Sequence, residues 1–366
     1  MAIPSAEEQL KFLSNIQRIL DEGSFVATYK FALILSLADY AVKYGDDDGE
    51  PLHLTSRDIA EGFIQYYWRQ AIPFAHGDAC SDLKHSTGSQ PFVFRRIGEL
   101  HLAFNGSLST ARRNLLLWDT LIKDVASTIA KMPLWKLQVV GRSPLSFLYQ
   151  QHGAGNHIDL LPGVVYNFRR FYDLIRNLVQ GAWTGHVRRI NRNILGEADL
   201  ADFLFGAERT LQPGLRTLLR DIQSDNCFYC DRQLREAVEI DHFVPWARYP
   251  IDLGHNFVLA HATCNRSKRD FLAAQHHLER WQRRNQDCGA FLGREFDAHG
   301  ILHNITATER IAFWAYDQAE GSQSNLWHQN NIVQPIEISW RQILGSRMET
   351  REGQEICVPP RPPGTP

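Results

Sequence analysis

Two short-spaced pairs of metal-type side chains constrain this chain more than any other feature. Cys227 and Cys230 form one pair with a two-residue gap, and His261 and Cys264 repeat that gap. Thirty residues lie between the pairs. Short pairs set far apart in sequence are the usual way to build a closed tetrahedral Zn²⁺ site. Thiolate and imidazole are soft to borderline ligands that suit zinc. Such a site clamps the two ends of a small subdomain inside a chain of 366 residues, a length that suggests two or three domains. A chain this long buries a core without disulfides. Its 44% hydrophobic and 22% charged residues are ordinary for a globular protein and exclude wholesale disorder or a fibre. Cys80, Cys288 and Cys357 have no partner pattern and read as free thiols.

The residues between the pairs suggest a compact unit. Val238-Glu-Ile-Asp-His242 reads as a short strand, and Pro245 stops it. Residues 246–255 read as a loop, with Pro250 and Gly254 as turn formers, and 256–260 as a second strand. A helix is expected from about Cys264 through Phe271 and Leu272 to Trp281. Asp241 and His242 then end the first strand, and Asn265 opens the helix. His255 has no assigned role, and His276 and His277 are expected on an exposed helix surface.

Asp241-His242, Asn256 and Asn265-Arg-Ser-Lys268, framed by the two pairs, resemble the His-Asn-His (HNH) endonuclease family over about residues 226–285. The chain departs from that pattern in having His261 where many members have cysteine, and Asn265 where others have histidine. The resemblance implies a ββα-metal fold and metal-dependent hydrolysis of phosphodiester bonds in DNA. It gives His242 the role of general base, a role that suits histidine near neutral pH. It makes Asp241 and Asn265 oxygen ligands of one catalytic Mg²⁺ or Mn²⁺, hard ions that prefer such donors. Asn256 is expected to fix the loop after His242 by bonding backbone. Arg266 and Lys268 are expected to contact backbone phosphates. Cys227, Cys230, His261 and Cys264 remain the structural zinc ligands. Products would carry a 5′ phosphate and a 3′ hydroxyl. Similar standalone bacterial HNH proteins suggest an anti-phage setting. Two other readings stay open: a zinc-organised nucleic-acid binding module without catalysis, and a ribonuclease effector. A homodimer or a regulatory protein partner is also left open.

Outside this segment the chain reads as helical. The fold expected is mainly α with a small α+β insert. It comprises a helical domain over 1–220, the nuclease domain over 221–285, and a helical extension over 286–366 with a proline-rich tail from Val358. Ser5 and Glu8 form a capping-box pattern, as do Thr306 and Glu309. Helices are expected over 25–44, 56–70, 108–131 and 199–211, the last broken by Pro213-Gly214, with a strand over 134–140. Residues 46–49 and 74–90 read as loops. With 39 Lys+Arg against 41 Asp+Glu, the net charge of -2 argues against coating nucleic acid by bulk charge. A local basic region exists between Asn167 and Asn193, where six arginines interleave with Phe168, Phe171, Tyr172 and Trp183. It fits either a nucleic-acid face or a helix whose aromatics face the core. The start of the chain has no secretory pattern, and the apolar run at 31–38 is too short to span a bilayer. A cytoplasmic protein without membrane contact is expected.

Overall fold

A computed structural model describes the chain except residues 1–2, 24, 77–78, 142, 151–156, 193–199, 207–212, 236 and 346–366. Cys357 and the proline-rich tail lie outside the described residues. The molecule is mainly α with small antiparallel sheets. It divides into two compact units, Met1–Ala207 and Glu208–Pro366. Among the described residues no helix is long and apolar enough to cross a membrane.

The first unit is built on the helix Tyr29–Tyr44, which is buried continuously from Lys30 to Val42. A helix apolar on all sides must be enclosed. It is packed by the helices Ser56–Trp68, Val164–Arg170 and Tyr172–Ile190. Its last carbonyls need donors, and Arg169 supplies them: its guanidinium bonds Ala41 O, Val42 O and Gly45 O while pairing with both oxygens of Asp47. Arg169 is thus only 3% exposed, and Phe168, Tyr172 and Trp183 are buried as well. That decides the open reading for these residues: this stretch of the arginine-rich segment turns its aromatics into the core. The 46–49 loop is likewise anchored through Asp47. Asp39, also buried, accepts hydrogen bonds from Tyr66 and Tyr172, and burial raises its carboxyl pKa.

Several expected elements differ, each for a local reason. The Ser5 capping box forms, but the second helix starts at Tyr29 rather than 25. Residues 108–131 form two helices, because Asn114 leaves helical geometry and caps the second one. Residues 133–136 form a helical turn begun by Pro133, so only Val139–Val140 pairs as strand. Pro213 starts the helix Pro213–Ile222 instead of breaking one, since proline is pre-set for a first turn. Asn304, not Thr306, caps Ile305–Gly321. The 74–90 loop contains a small hairpin, Phe74–His76 with Ala79–Ser81.

The second unit places the antiparallel pair Val238–His242 and Phe257–His261 beside the short helix Ala262–Lys268. The expected long helix from 264 to 281 is two helices. Arg269 takes φ +52, in the left-handed region, and ends the first; the second is Gln275–His299. This long helix backs the unit. Its Trp281 stacks on Phe243 at 4.9 Å, and Arg284 donates to Phe257 O (2.6 Å) and His255 O (2.5 Å). Burial lowers the Arg284 pKa to about 10. His277, expected on the surface, is buried and bonds His328 O, while His276 is exposed as expected. The hairpin of Asn325–Gln329 and Ile332–Pro335, not foreseen in the sequence, holds the turn after the short helix through Leu272 and Ala274.

Candidate active site and metal centre

The first pair of metal-type residues sits in a tight turn. Cys227 O accepts from Asp231 N, Cys227 N donates to Arg232 O, and Asp231 adopts φ +59. The second pair spans the end of a strand and the first turn of the short helix, with His261 as its N-cap. One donor atom from each of Cys227, Cys230, His261 and Cys264 lies within 4.8 Å of the others. A tetrahedral ion with Zn–S of about 2.3 Å puts sulfurs ~3.8 Å apart, so the spacing suits zinc. His261 Nδ1 lies 3.3 Å from Cys230 Sγ, and its Nε2 is 3.2 Å from Gln233 O. A carbonyl only accepts, so Nε2 carries the hydrogen and the Nδ1 lone pair faces the thiols. An imidazole fixed through its outer nitrogen is the usual arrangement of a metal ligand. The Cys227 thiol is lowered to about 4, first by the Cys264 side chain, then by backbone N–H groups of Cys230, His261 and Tyr229, against the opposing effect of burial. Cys264 is correspondingly raised, because it keeps the proton that the pair shares. A cation held by these four side chains would replace that proton. The donor set therefore fits zinc.

The hairpin sets the other groups by simple alternation. Glu239 and Asp241 share one face of their strand, and His242 lies on the opposite face. The short helix covers the first face. Asn265 Nδ2 donates to Glu239 Oε2 at 2.8 Å. One turn later Lys268 Nζ donates to Asp241 Oδ2 (3.0 Å) and His242 O (2.9 Å). Tyr229 OH donates to the same Asp241 oxygen at 2.5 Å, and burial with the adjacent carboxylate keeps that phenol protonated. Lys268 was expected on the helix surface against phosphate. It is fully buried instead, because its ammonium neutralises a carboxylate that is itself only 8% exposed. Arg266 is exposed, with Glu239 4.0 Å away. Among the described residues no hydrogen bond reaches Asp241 Oδ1 or Asn265 Oδ1. These two oxygens, with the neighbouring Glu239 carboxylate, are hard donors of the kind Mg²⁺ or Mn²⁺ takes.

His242 is held from three sides. Its Nε2 lies 2.6 Å from Asp252 Oδ1, and its ring meets Trp246 and Phe257 edge-on at 5.4 and 4.9 Å. A carboxylate can only accept, so the proton is on Nε2 and Nδ1 presents a lone pair. Asp252 was missed in the sequence. The signal available was the flanking pair Ile251 and Leu253: both are buried, which turns the residue between them outward. Asn256 bonds Val244 twice, accepting from its N–H (2.8 Å) and donating to its C=O (2.9 Å). Its own carbonyl accepts from Phe243 N. Gly254 starts the turn before Asn256, and a Cβ there would come within 2.6 Å of the Phe296 ring, so a side chain would push the loop off the long helix. His255 is buried, bonds Gly289 O, and is lowered by burial to about 4.

Residues 227–274 match the family model described as HNH endonuclease. No curated protein and no solved structure matches the chain. The chain therefore contains an HNH domain, a kind of domain found in nucleases, and the matched segment encloses the Cys/His cluster, His242, Asp252 and Asn265.

Proposed function

We propose that this protein is a metal-dependent endonuclease that hydrolyses phosphodiester bonds in DNA, with His242 as general base. The observation that carries this reading is the His242–Asp252 pair. It fixes the imidazole in the tautomer whose Nδ1 can accept a proton, at the end of a strand whose other face carries free hard oxygens. Water loses its proton to Nδ1 as its oxygen attacks phosphorus, and Asp252 balances the charge that forms on the ring. The bond to the 3′ oxygen breaks, leaving a 5′ phosphate. Asp241 and Asn265 would hold one Mg²⁺ or Mn²⁺, which when bound supplies Lewis-acid stabilisation of the phosphate and the leaving oxygen. Asn256 keeps residues 243–244 in place, and so keeps the strand end carrying His242 in register. Cys227, Cys230, His261 and Cys264 would hold a structural Zn²⁺. Arg266, which is exposed, would meet a phosphate, while Lys268 would act through Asp241 rather than on the substrate. Defence against foreign DNA is the setting we propose, on the resemblance to standalone bacterial HNH proteins.

Cleavage of supercoiled plasmid with Mg²⁺ or Mn²⁺, run beside His242→Ala, tests the reaction. A general base contributes roughly 10²–10⁴-fold, so the variant is expected to fall by that much. Equal rates in the two proteins would overturn the reading. Parallel digestion of RNA decides the substrate: faster RNA cleavage would replace DNA by RNA in the proposal.

A further inference from the structure

We infer that His53, His157 and Asp159 form a second metal site, in the first unit, for a divalent transition ion that favours imidazole. The three side chains come from two chain segments that pair as antiparallel strands, His53–Thr55 with His157–Asp159. The register sets His53 directly opposite Asp159, and His157 two positions along on the same strand as Asp159. Residues two apart on a strand share a face, so all three project to one side of the pair. One donor atom from each lies within 4.8 Å of the others. His53 Nδ1 is 2.8 Å from Asp159 Oδ1, and the two imidazole rings are 4.8 Å apart between centroids.

The geometry selects the ligand class. The His53 Nδ1–Asp159 Oδ1 contact of 2.8 Å is a hydrogen bond in which Nδ1 donates; an ion would replace that proton, and because two donors at right angles around an ion with bonds of about 2.0–2.1 Å stand ~2.9 Å apart, the two groups could take it with little movement. Two imidazoles and one carboxylate suit Zn²⁺, Ni²⁺ or Cu²⁺ rather than Mg²⁺ or Ca²⁺, which take oxygen. His53 and Asp159 are about half exposed at their side chains, 58% and 49%, so water can complete the coordination shell. The strands that carry the ligands also constrain them: His53 and Asp159 are 106 residues apart in sequence, and their backbones are already paired. An ion there ties the two segments through side chains as well as through the sheet. The site is independent of the Cys/His cluster and of His242, so it stands or falls apart from the nuclease reading.

The test uses the full chain with its cysteine cluster already loaded with zinc, dialysed against micromolar NiCl₂. Nickel and zinc are then counted per chain by atomic emission. The wild type is expected to bind one more nickel than His53→Ala, His157→Ala or Asp159→Asn at the same zinc content. Removing a ligand should weaken binding by about tenfold or more, since removing even an outer-shell partner costs that much. A second reading comes from the imidazole NMR signals of His53 and His157, assigned with the same variants, which should broaden or shift together on nickel addition. The inference is overturned if nickel content is equal in wild type and variants, or if loss of His157 leaves it unchanged.

Discussion

Replacing Asp252 by alanine removes the group that holds His242 from behind, and the size of the effect follows from the contact. A hydrogen bond to a charged partner is worth about 1.5–3 kcal/mol. The 2.6 Å distance argues for the strong end, but the Asp252 side chain is 42% exposed and partly screened, which argues for the weak end. A loss of about 1.5–2 kcal/mol corresponds to roughly 10–30-fold in rate. The loss should fall on kcat. Asp252 meets the ring on the side away from Nδ1, and its charge matters most when the imidazole becomes cationic in the transition state. KM for DNA should stay within about twofold, as for any group that does not bind substrate. Asp252→Asn should lose at least as much as alanine, because its amide N–H can donate to Nε2 and hold the ring in the opposite tautomer. Asp252→Glu, which restores a carboxylate, should recover part of the rate. The assay is single-turnover cleavage of a labelled duplex in Mn²⁺, with zinc content and thermal melting measured on each variant. A kcat within twofold of wild type, with zinc and fold intact, would refute the positioning role. A raised KM with unchanged kcat would place Asp252 on the DNA instead.

Other perturbations separate the parts of the unit. Stripping zinc with a strong chelator, or Cys230→Ala, is expected to lower the melting temperature of the Glu208–Pro366 unit, because metal binding and folding are coupled in such sites; an unchanged melt after verified metal loss would count against a structural ion. Lys268→Met leaves the Asp241 carboxylate buried without its cation, a change that costs about 3–5 kcal/mol, readable by denaturant unfolding, whereas the paired Lys268→Met/Asp241→Leu variant should recover most of it. Asn256→Ala strands the Val244 N–H and C=O and should cost about 1–3 kcal/mol per unpaired buried group, with cleavage falling as the strand end loosens. Burial holds His255 at about 4 and His277 at about 3, below the usual histidine value. Their stabilising contribution is therefore present above pH 6.5 and is lost as pH falls toward 4, because the unfolded chain takes protons that the fold refuses. The loss is about 2 kcal/mol per histidine by pH 5, and a flat stability profile from pH 7 to 5 would contradict it.

The parts of the site that were legible in the sequence are those fixed by short spacing. Cys227 with Cys230, and His261 with Cys264, reach a common centre because a two-residue gap brings each pair together in a turn or a first helical turn. Asp241 and His242 fall at a strand end, and Asn265 in the following helix, because apolar alternation and Pro245 mark those boundaries locally. The misplaced residues depend on partners far along the chain. Lysine is normally a surface residue, and nothing near Lys268 announces that Asp241 waits below it. Asp252 sits in a segment whose conformation is set by burial of Ile251 and Leu253 against the rest of the unit. The 264–281 helix was read as continuous because the break at Arg269 is a backbone turn without glycine or proline. Arg169 was ambiguous for the same kind of reason: its role is set by Asp47 and by the carbonyls ending another helix.

The short helix Ala262–Lys268 shows why the two chemistries share one segment. A helix of seven residues is unstable alone, because nucleation is not repaid over two turns. It must be held at its ends. Cys264 and the preceding His261 tie its first turn to the Cys227–Cys230 turn. Lys268 ties its last turn to Asp241 and to the carbonyl of His242, and Ser267 accepts from Trp327 Nε1 and Asn331 N. Asn265 lies between these anchors, bonded to Glu239. The position of its free oxygen is thus set from one side by the Cys/His cluster and from the other by a buried ion pair. On this account the cluster and Lys268 are not accessory to the active site. Losing the cluster should displace Asn265 while leaving the His242–Asp252 pair in place, since that pair rests on the loop anchored by Asn256 and the long helix, whereas losing Lys268 also frees the His242 carbonyl. The two halves of the proposed reaction, water activation at His242 and charge stabilisation at Asn265, should therefore fail separately: zinc loss should abolish cleavage and weaken binding of the proposed catalytic Mn²⁺, and Asp252→Ala should slow cleavage without touching Mn²⁺ affinity.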